Sequence, residues 1–179
     1  MDIYKVKWTQ VQMSLFSLLC LKVGENLTQR EIARYLGVSP TTIANSLVEL
    51  EKEKLITIEK NRSMNFVYLN RDNKKVIELK RVENLKNIYS SGLAEVLIEE
   101  FPGASIVLFG SYSKGEDSYK SDLDISIVGK KEKRIDLVKF EKTLNRKISI
   151  QFYPSFKEIH KNLRESIMNG IVISGGVEL

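Results

Sequence analysis

Two aspartates separated by one residue, Asp122 and Asp124, head an apolar run and follow a Gly-Ser pair within the stretch Leu108 to Val128, LFGSYSKGEDSYKSDLDISIV. Successive side chains on a strand point to opposite faces, so this spacing predicts both carboxylates on one side, with Leu123 and Ile125 anchoring the other. Carboxylates brought that close repel unless a cation lies between them. A hard oxygen pair of this kind suits Mg²⁺, whose remaining ligands are waters and substrate phosphates. Gly110 lets the backbone approach a ligand closely. Ser111 offers a hydroxyl and an N–H where a helix can begin, a usual seat for phosphate. The chemistry these residue types predict is the metal-assisted handling of a nucleotide.

The elements that must hold them are legible on either side. Ser105 to Phe109 is a short apolar run broken by Gly110, which predicts a buried strand. Asp122 to Ile127 alternates polar and apolar, as a strand with one covered face does. A charged segment from about Glu132 to Arg146 predicts a helix, Lys147 to Tyr153 (KISIQFY) a further strand, and Ser155 to Met168 an amphipathic helix on Phe156, Ile159, Leu163 and Ile167. Ile171 to Ile173 predicts a short edge strand. His160, the sole histidine, sits beside Lys161 on that last helix and reads as a surface residue.

Gly110-Ser111, Gly115 and Ser121-Asp122-Leu123-Asp124 resemble the signature of the DNA polymerase β-like nucleotidyltransferase superfamily, especially its minimal single-domain members, over roughly residues 83 to 179. The resemblance implies that Asp122 and Asp124 are the catalytic metal ligands for Mg²⁺ and that Gly110 and Ser111 contact the phosphates of ATP or another nucleoside triphosphate. It also implies a third carboxylate on the later strand. This chain carries Ile148-Ser149-Ile150-Gln151 there, and neither Ser149 nor Gln151 is a charged ligand or a competent base. Glu116, Asp117 and Asp136 are the candidate substitutes, and nothing in the sequence places them there. Three functions follow: Mg-dependent nucleotidyl transfer to an unidentified acceptor, a transcriptional regulator whose weakened or inactive transferase domain senses nucleotide, or an antitoxin-like minimal nucleotidyltransferase acting on a protein partner.

The front half carries a different pattern. Thr28 with Glu31 three residues on is a capping box, Ile32, Ala33 and Leu36 mark a helical face, and Gly37 ends it. Ser39 caps the next helix with Pro40 at its first position, and Ile43, Leu47 and Leu50 form its buried stripe, leaving Thr41, Thr42, Asn45 and Ser46 facing away. Leu55 to Glu59 and Asn65 to Leu69 predict a hairpin around Lys60-Asn61-Arg62-Ser63. This order resembles the winged helix-turn-helix superfamily over about residues 8 to 70. The resemblance implies that Ser39, Thr41, Thr42 and Asn45 meet bases or phosphates of double-stranded DNA, with Lys60 and Arg62 at the wing tip. Protein contacts are the other use of such a surface, since Glu49, Glu51 and Glu53 lie on the same helix or at its end.

Composition agrees with two modules. Up to residue 82 there are 14 Lys and Arg against 9 Asp and Glu, and beyond it 14 against 14, so the whole surplus of positive charge lies in front, where a polyanion partner is expected. The single cysteine, Cys20, excludes an intramolecular disulfide, predicts a reducing, cytoplasmic setting, and reads as a buried inert thiol among leucines. Met13 to Val23 is shorter than the roughly 20 residues of a membrane span and predicts a first core helix, with no membrane partner. Asn73 to Ile88 is rich in Lys, Glu and Leu without glycine or proline, and Val76, Leu79 and Val82 recur at helical spacing, so a helical connector is expected. The fold class predicted is α+β: a winged helix-turn-helix domain over 1–72, a connector over 73–92, and a small mixed sheet with flanking helices, a nucleotidyltransferase fold, over 93–179. A homodimer is expected by analogy with winged modules that pair on symmetric sites.

Overall fold

The computed structural model describes residues 8–61 and 64–177, and the chain divides into two compact units, Met1–Val76 and Ile77–Leu179.

In the first unit, helix α1 (Gln10–Leu21) starts at a capping box in which Thr9 and Gln12 bond reciprocally, and it buries Leu15, Phe16, Leu19 and Cys20. Strand β1 (Leu27–Thr28) leads into α2 (Gln29–Leu36). The predicted box is formed: the Thr28 N–H donates to Glu31 Oε2 at 2.8 Å and the Glu31 N–H to Thr28 Oγ1 at 3.2 Å. The Thr28 N–H, and then the Thr28 hydroxyl, donating to the Glu31 carboxylate hold it below its ordinary pKa. Gly37 closes α2 at φ 65°, and Ser39 caps α3 (Pro40–Lys52), whose Ile43, Leu47 and Leu50 are buried as the spacing predicts. Ser46 departs from expectation. It is buried, and its hydroxyl donates to the Thr42 carbonyl at 2.9 Å. Strands β2 (Ile56–Asn61) and β3 (Met64–Leu69) pair antiparallel, and β1 adds Leu27 opposite Val67 on the other edge of β3. Helix, helix, helix and hairpin in this order make a winged helix-turn-helix.

The second unit is a mixed four-stranded sheet in the order β6-β5-β4-β7. Its members are β4 (Ser105–Phe109), β5 (Leu123–Val128), β6 (Ile148–Tyr153) and β7 (Ile171–Ser174). Strands β4 and β5 run antiparallel, whereas β5 and β6 run parallel, which requires the crossover that carries α7 (Val138–Leu144). Alternation along the strands builds two cores. Ile106, Leu108, Ile125 and Ile127 pack with Leu93 and Leu97 of α5 (Leu93–Glu100) and with Phe140 and Leu144 of α7. Val107, Phe109 and Val128 pack on the opposite face with Phe156, Ile159 and Ile167.

Three segments differ from the expected pattern. The helix predicted over Glu132 to Arg146 is confined to α7, and residues 131–137 have no regular structure, because Lys130 to Arg134 offers no apolar stripe to bury. The amphipathic tail is broken into a 3₁₀ turn (Phe156–Glu158) and α8 (Lys161–Met168), with Ile159 extended between them. Within α4 (Lys74–Ser90), Val82 is 64% exposed. The face that α4 buries in the second unit runs instead through Lys80, Asn84 and Ile88.

Candidate functional site

Strand β4 ends at Phe109, in register with Asp124 of β5, and the chain turns at Gly110 into the five-residue helix α6 (Gly110–Lys114). Gly110 has φ 73°, and a Cβ there would stand 2.5 Å from Asp124 Oδ2. Only a residue without a side chain lets this turn pass the Asp124 carboxylate. Ladder pairing in β5 begins at Leu123, whose N–H donates to the Lys147 carbonyl at 2.8 Å, so Asp122 stands just ahead of the strand and is exposed, while Asp124 is half-buried. Burial, and then the charge of Asp122, push the Asp124 carboxyl above the ordinary aspartate range. The structure thus brings together Asp122, Asp124 and Gly110, with Ser111 in the first turn of α6.

The neighbouring strand completes the picture. Ser149 is the registered partner of Asp124 across the parallel β5–β6 pair, and Gln151 that of Ser126, so these four side chains share one face. Tyr153 donates its hydroxyl to Gln151 Oε1 at 2.7 Å. No group of three or more His, Cys, Asp or Glu side chains able to hold a metal occurs among the described residues. Two carboxylates with substrate phosphates still form a donor set suited to Mg²⁺.

Two of the three candidate substitute acids are committed elsewhere. Asp136, two residues ahead of α7, accepts from the Val138 N–H at 3.0 Å. Asp117 is fully buried and ion-paired to Lys80. It also accepts from Asn84 Nδ2 at 2.7 Å and from an Arg146 guanidinium nitrogen at 3.2 Å. Asn84 Nδ2 lies 2.8 Å from the Tyr112 carbonyl as well, so α4, α6, the loop after it and the entry to β6 are tied at one point. Gly115, the second glycine of the motif, belongs to the same junction. Its φ is 78°, and a Cβ there would collide with the Ile77 carbonyl and lie 2.8 Å from the Arg81 N–H nitrogen. Lys80, Asn84 and Arg146 were not identifiable from sequence. Helical periodicity counts apolar residues, and the only trace these left was a polar i, i+4 pair on a helix.

In the first unit, Thr41 and Asn45 are exposed along the start of α3. Ser39 and Thr42 are partly committed to capping, with the Thr42 N–H on Ser39 Oγ at 3.1 Å and the two hydroxyls 2.8 Å apart. Lys60 is exposed on β2, paired with Asn65; Arg62 lies outside the described residues. A cleft of about 390 Å³ opens between the starts of α2 and α3 and the hairpin, lined by Gln29, Arg30, Asn61 and Asn65 among others. The basic residue it adds to the expected set is Arg30.

Comparison with known proteins assigns both units. Residues 90–174 match the family model described as nucleotidyltransferase domain, and residues 17–66 match that of bacterial regulatory proteins of the gntR family. The chain therefore carries a winged-helix DNA-binding domain followed by a nucleotidyltransferase domain. No curated protein matches it. Among solved structures it is similar to a mutant of MepR from a multidrug-resistant S. aureus clinical isolate. The identity is 24%, the TM-score 0.40, and the match spans 52% of this chain and 65% of that one. An S. aureus MepR–DNA complex matches at 22% identity and TM-score 0.38, over 52% of this chain and 78% of that one. A mutant of Lactococcus lactis ZitR matches at 19% identity and TM-score 0.41, over 56% of this chain and 67% of that one. The chain thus spans less than two thirds of the first of these structures.

Proposed function

We propose that the second unit transfers a nucleotidyl group from a nucleoside triphosphate, ATP in the first instance, to a hydroxyl, with Mg²⁺ held by Asp122 and Asp124, and that the first unit binds double-stranded DNA. The observation that supports the proposal is at Gly110, where a Cβ would stand 2.5 Å from Asp124 Oδ2, so the backbone of the Gly-Ser turn runs close beside the aspartate pair, an arrangement suited to phosphate next to a divalent cation. When bound, Mg²⁺ supplies charge neutralisation on the transferring phosphoryl group. Asp122 and Asp124 fix its place, and Gly110 with Ser111 receives the phosphates. The acceptor oxygen forms a bond to the α-phosphorus, the bond from that phosphorus to the bridging oxygen of the β-phosphate breaks, pyrophosphate leaves with the electron pair, and the acceptor proton passes to water.

The experiment is incubation with α-labelled ATP and Mg²⁺. Label should appear on an acceptor with the natural chain and be absent with Asp122→Ala; no label in either case defeats the transferase reading.

Ser149 beside Asp124 favours a second reading, a DNA-bound regulator that senses nucleotide without turnover. Mg-dependent ATP binding with no transfer to any acceptor is its expected result. In both readings Thr41, Asn45, Lys60 and Arg30 meet the duplex, pairing of two chains on a symmetric site is expected, and the DNA partner places the protein in the cytoplasm.

A further inference from the structure

The four-stranded sheet of the second unit ends in two edges, β7 and β6, and they are not alike. Strand β7 is four residues long, and its pairing with β4 is broken by a register shift at Ile106 and Val107, a device that blunts an edge. Strand β6 pairs with β5 over six residues without a shift, and from Ile148 to Tyr153 it carries no charge, no proline and no glycine. Its Ile148, Ile150 and Phe152 are partly exposed and extend the apolar core to the rim. None of the usual guards against a further strand is built into it.

The direction of its backbone groups follows from two hydrogen bonds. The Leu123 N–H donates to the Lys147 carbonyl at 2.8 Å and the Gly129 N–H to the Tyr153 carbonyl at 2.9 Å, so residues 147, 149, 151 and 153 turn their backbone groups toward β5. Those of Ile148, Ile150 and Phe152 therefore point to the open side. The Ile148 N–H is already taken by Glu141 Oε1 at 3.0 Å, and Pro154, next in the series, has no N–H to give. Between these two stops the edge offers the N–H and C=O of Ile150 and Phe152.

That pattern is complementary to itself. When two copies of β6 lie antiparallel with Ile150 of each opposite Phe152 of the other, every one of these N–H and C=O groups meets a partner. Moving the axis to Ile150 would set the Phe152 carbonyl against the occupied Ile148 N–H, and moving it to Phe152 would set the Ile150 carbonyl against Pro154. The favoured register places the two Gln151 side chains opposite each other. Tyr153 donates its hydroxyl to Gln151 Oε1 at 2.7 Å, so each amide keeps its Nε2 hydrogens and one lone pair for the other.

We infer that the β6 edge is an interface between two copies of this chain, paired antiparallel about a two-fold axis at Gln151, so that two four-stranded sheets join into one. The pairing needs neither nucleotide nor DNA, and it stands whether or not the second unit transfers anything.

The test uses the full chain without DNA or nucleotide. Gln151→Cys should form an intermolecular disulfide on mild oxidation, because opposed residues of a non-hydrogen-bonded antiparallel pair stand about 4.5 Å apart at Cα. Ser149→Cys should not, since in this register its two copies lie about 13 Å apart along the strands. The natural chain, whose Cys20 is buried, is the blank. Amide hydrogen exchange gives a second readout on the natural chain: Ile150 and Phe152 should be protected at high protein concentration and exchange faster on dilution. Gln151→Lys, which opposes like charges on the axis, should move that protection to roughly fivefold higher concentration. A disulfide formed as readily by Ser149→Cys as by Gln151→Cys overturns the register. Ile150 and Phe152 amides that exchange alike at every concentration overturn the interface and leave the edge to a strand of another protein. A dimer that persists while those amides exchange freely is held by other surfaces and overturns it as well.

Discussion

Asp124 and Ser149 face one another across the parallel β5–β6 ladder, so the hydroxyl of Ser149 occupies the position from which a side chain on β6 reaches the half-buried carboxylate. A carboxylate introduced there would join the cation site and offer a base for the acceptor proton. Ser149→Asp should therefore accelerate transfer on the order of 10²-fold, the usual scale of a positioned general base. It should also lower the melting temperature in the absence of divalent cations, because a third negative charge then has nothing to neutralise it. Initial rates and thermal melts with and without Mg²⁺ check both halves; a rate unchanged by Ser149→Asp would show that the missing carboxylate is not what limits turnover.

The raised pKa of Asp124 sets a stability signature. In the metal-free protein the folded state holds the Asp124 proton at pH values where the unfolded chain has released it, so this group's contribution falls as pH rises from about 3.9 through the raised folded value. Asp124→Asn removes the penalty. Its melting temperature should exceed that of the natural chain at neutral pH without Mg²⁺, converge with it below the ordinary aspartate value, and gain nothing from added Mg²⁺. Melting curves across that range decide the matter.

The Asp117 cluster orders three substitutions. Asp117→Asn leaves the cations of Lys80 and Arg146 buried without their anion and should cost about 3–5 kcal/mol. Lys80→Met leaves Arg146 and Asn84 on the same carboxylate and should cost less. Asn84→Ala, which deletes the hydrogen bonds of a neutral amide and removes no charge, should cost roughly 1–3 kcal/mol. Urea midpoints at constant slope would measure the series, and a Lys80→Met penalty above that of Asp117→Asn would contradict the charge bookkeeping.

Gly110→Ala and Gly115→Ala should fail differently. Both positions have positive φ, which costs a non-glycine residue roughly 1–2 kcal/mol. At Gly110 the added methyl meets a carboxylate that can move, so folding survives while Mg-nucleotide affinity drops. At Gly115 it meets the backbone of α4, which cannot give way, so stability drops more. Calorimetry and denaturation on the same two variants separate these outcomes.

For the winged helix, Lys60→Ala should shift the slope of log K against log salt on duplex DNA by about 0.9 if that ammonium neutralises one phosphate. Asn45→Ala should leave the slope alone and narrow the gap between specific and random duplexes. An unaltered slope in the first variant would remove β2 from the interface.

Much of the fold was legible because its signals are local. The Thr28–Glu31 box, the Ile43, Leu47 and Leu50 stripe, and the β4 and β6 runs each declare themselves within a few residues. Strand β1 was not, since two residues have no period and exist only through pairing with β3. The aspartate pair and the Gly-Ser turn were legible as residue types, but why Gly110 is glycine became clear only when Asp124 was seen against it. The buried face of α4 was least legible. Lysine and asparagine point outward by default, and only the approach of Asp117, a residue 37 positions from Lys80 in sequence, turns them in.

That inward lysine sets where the second unit must start. The recognisable signature begins with the Gly-Ser turn and the matching family model at residue 90, yet Lys80, one of the two cations paired with Asp117, sits ten residues upstream of that model's edge. A fragment cut at the edge of the motif would strip a charge out of its own interior and lose the backbone that Gly115 was shaped to meet. Dissection of this chain will give a folded second unit only if α4 travels with it.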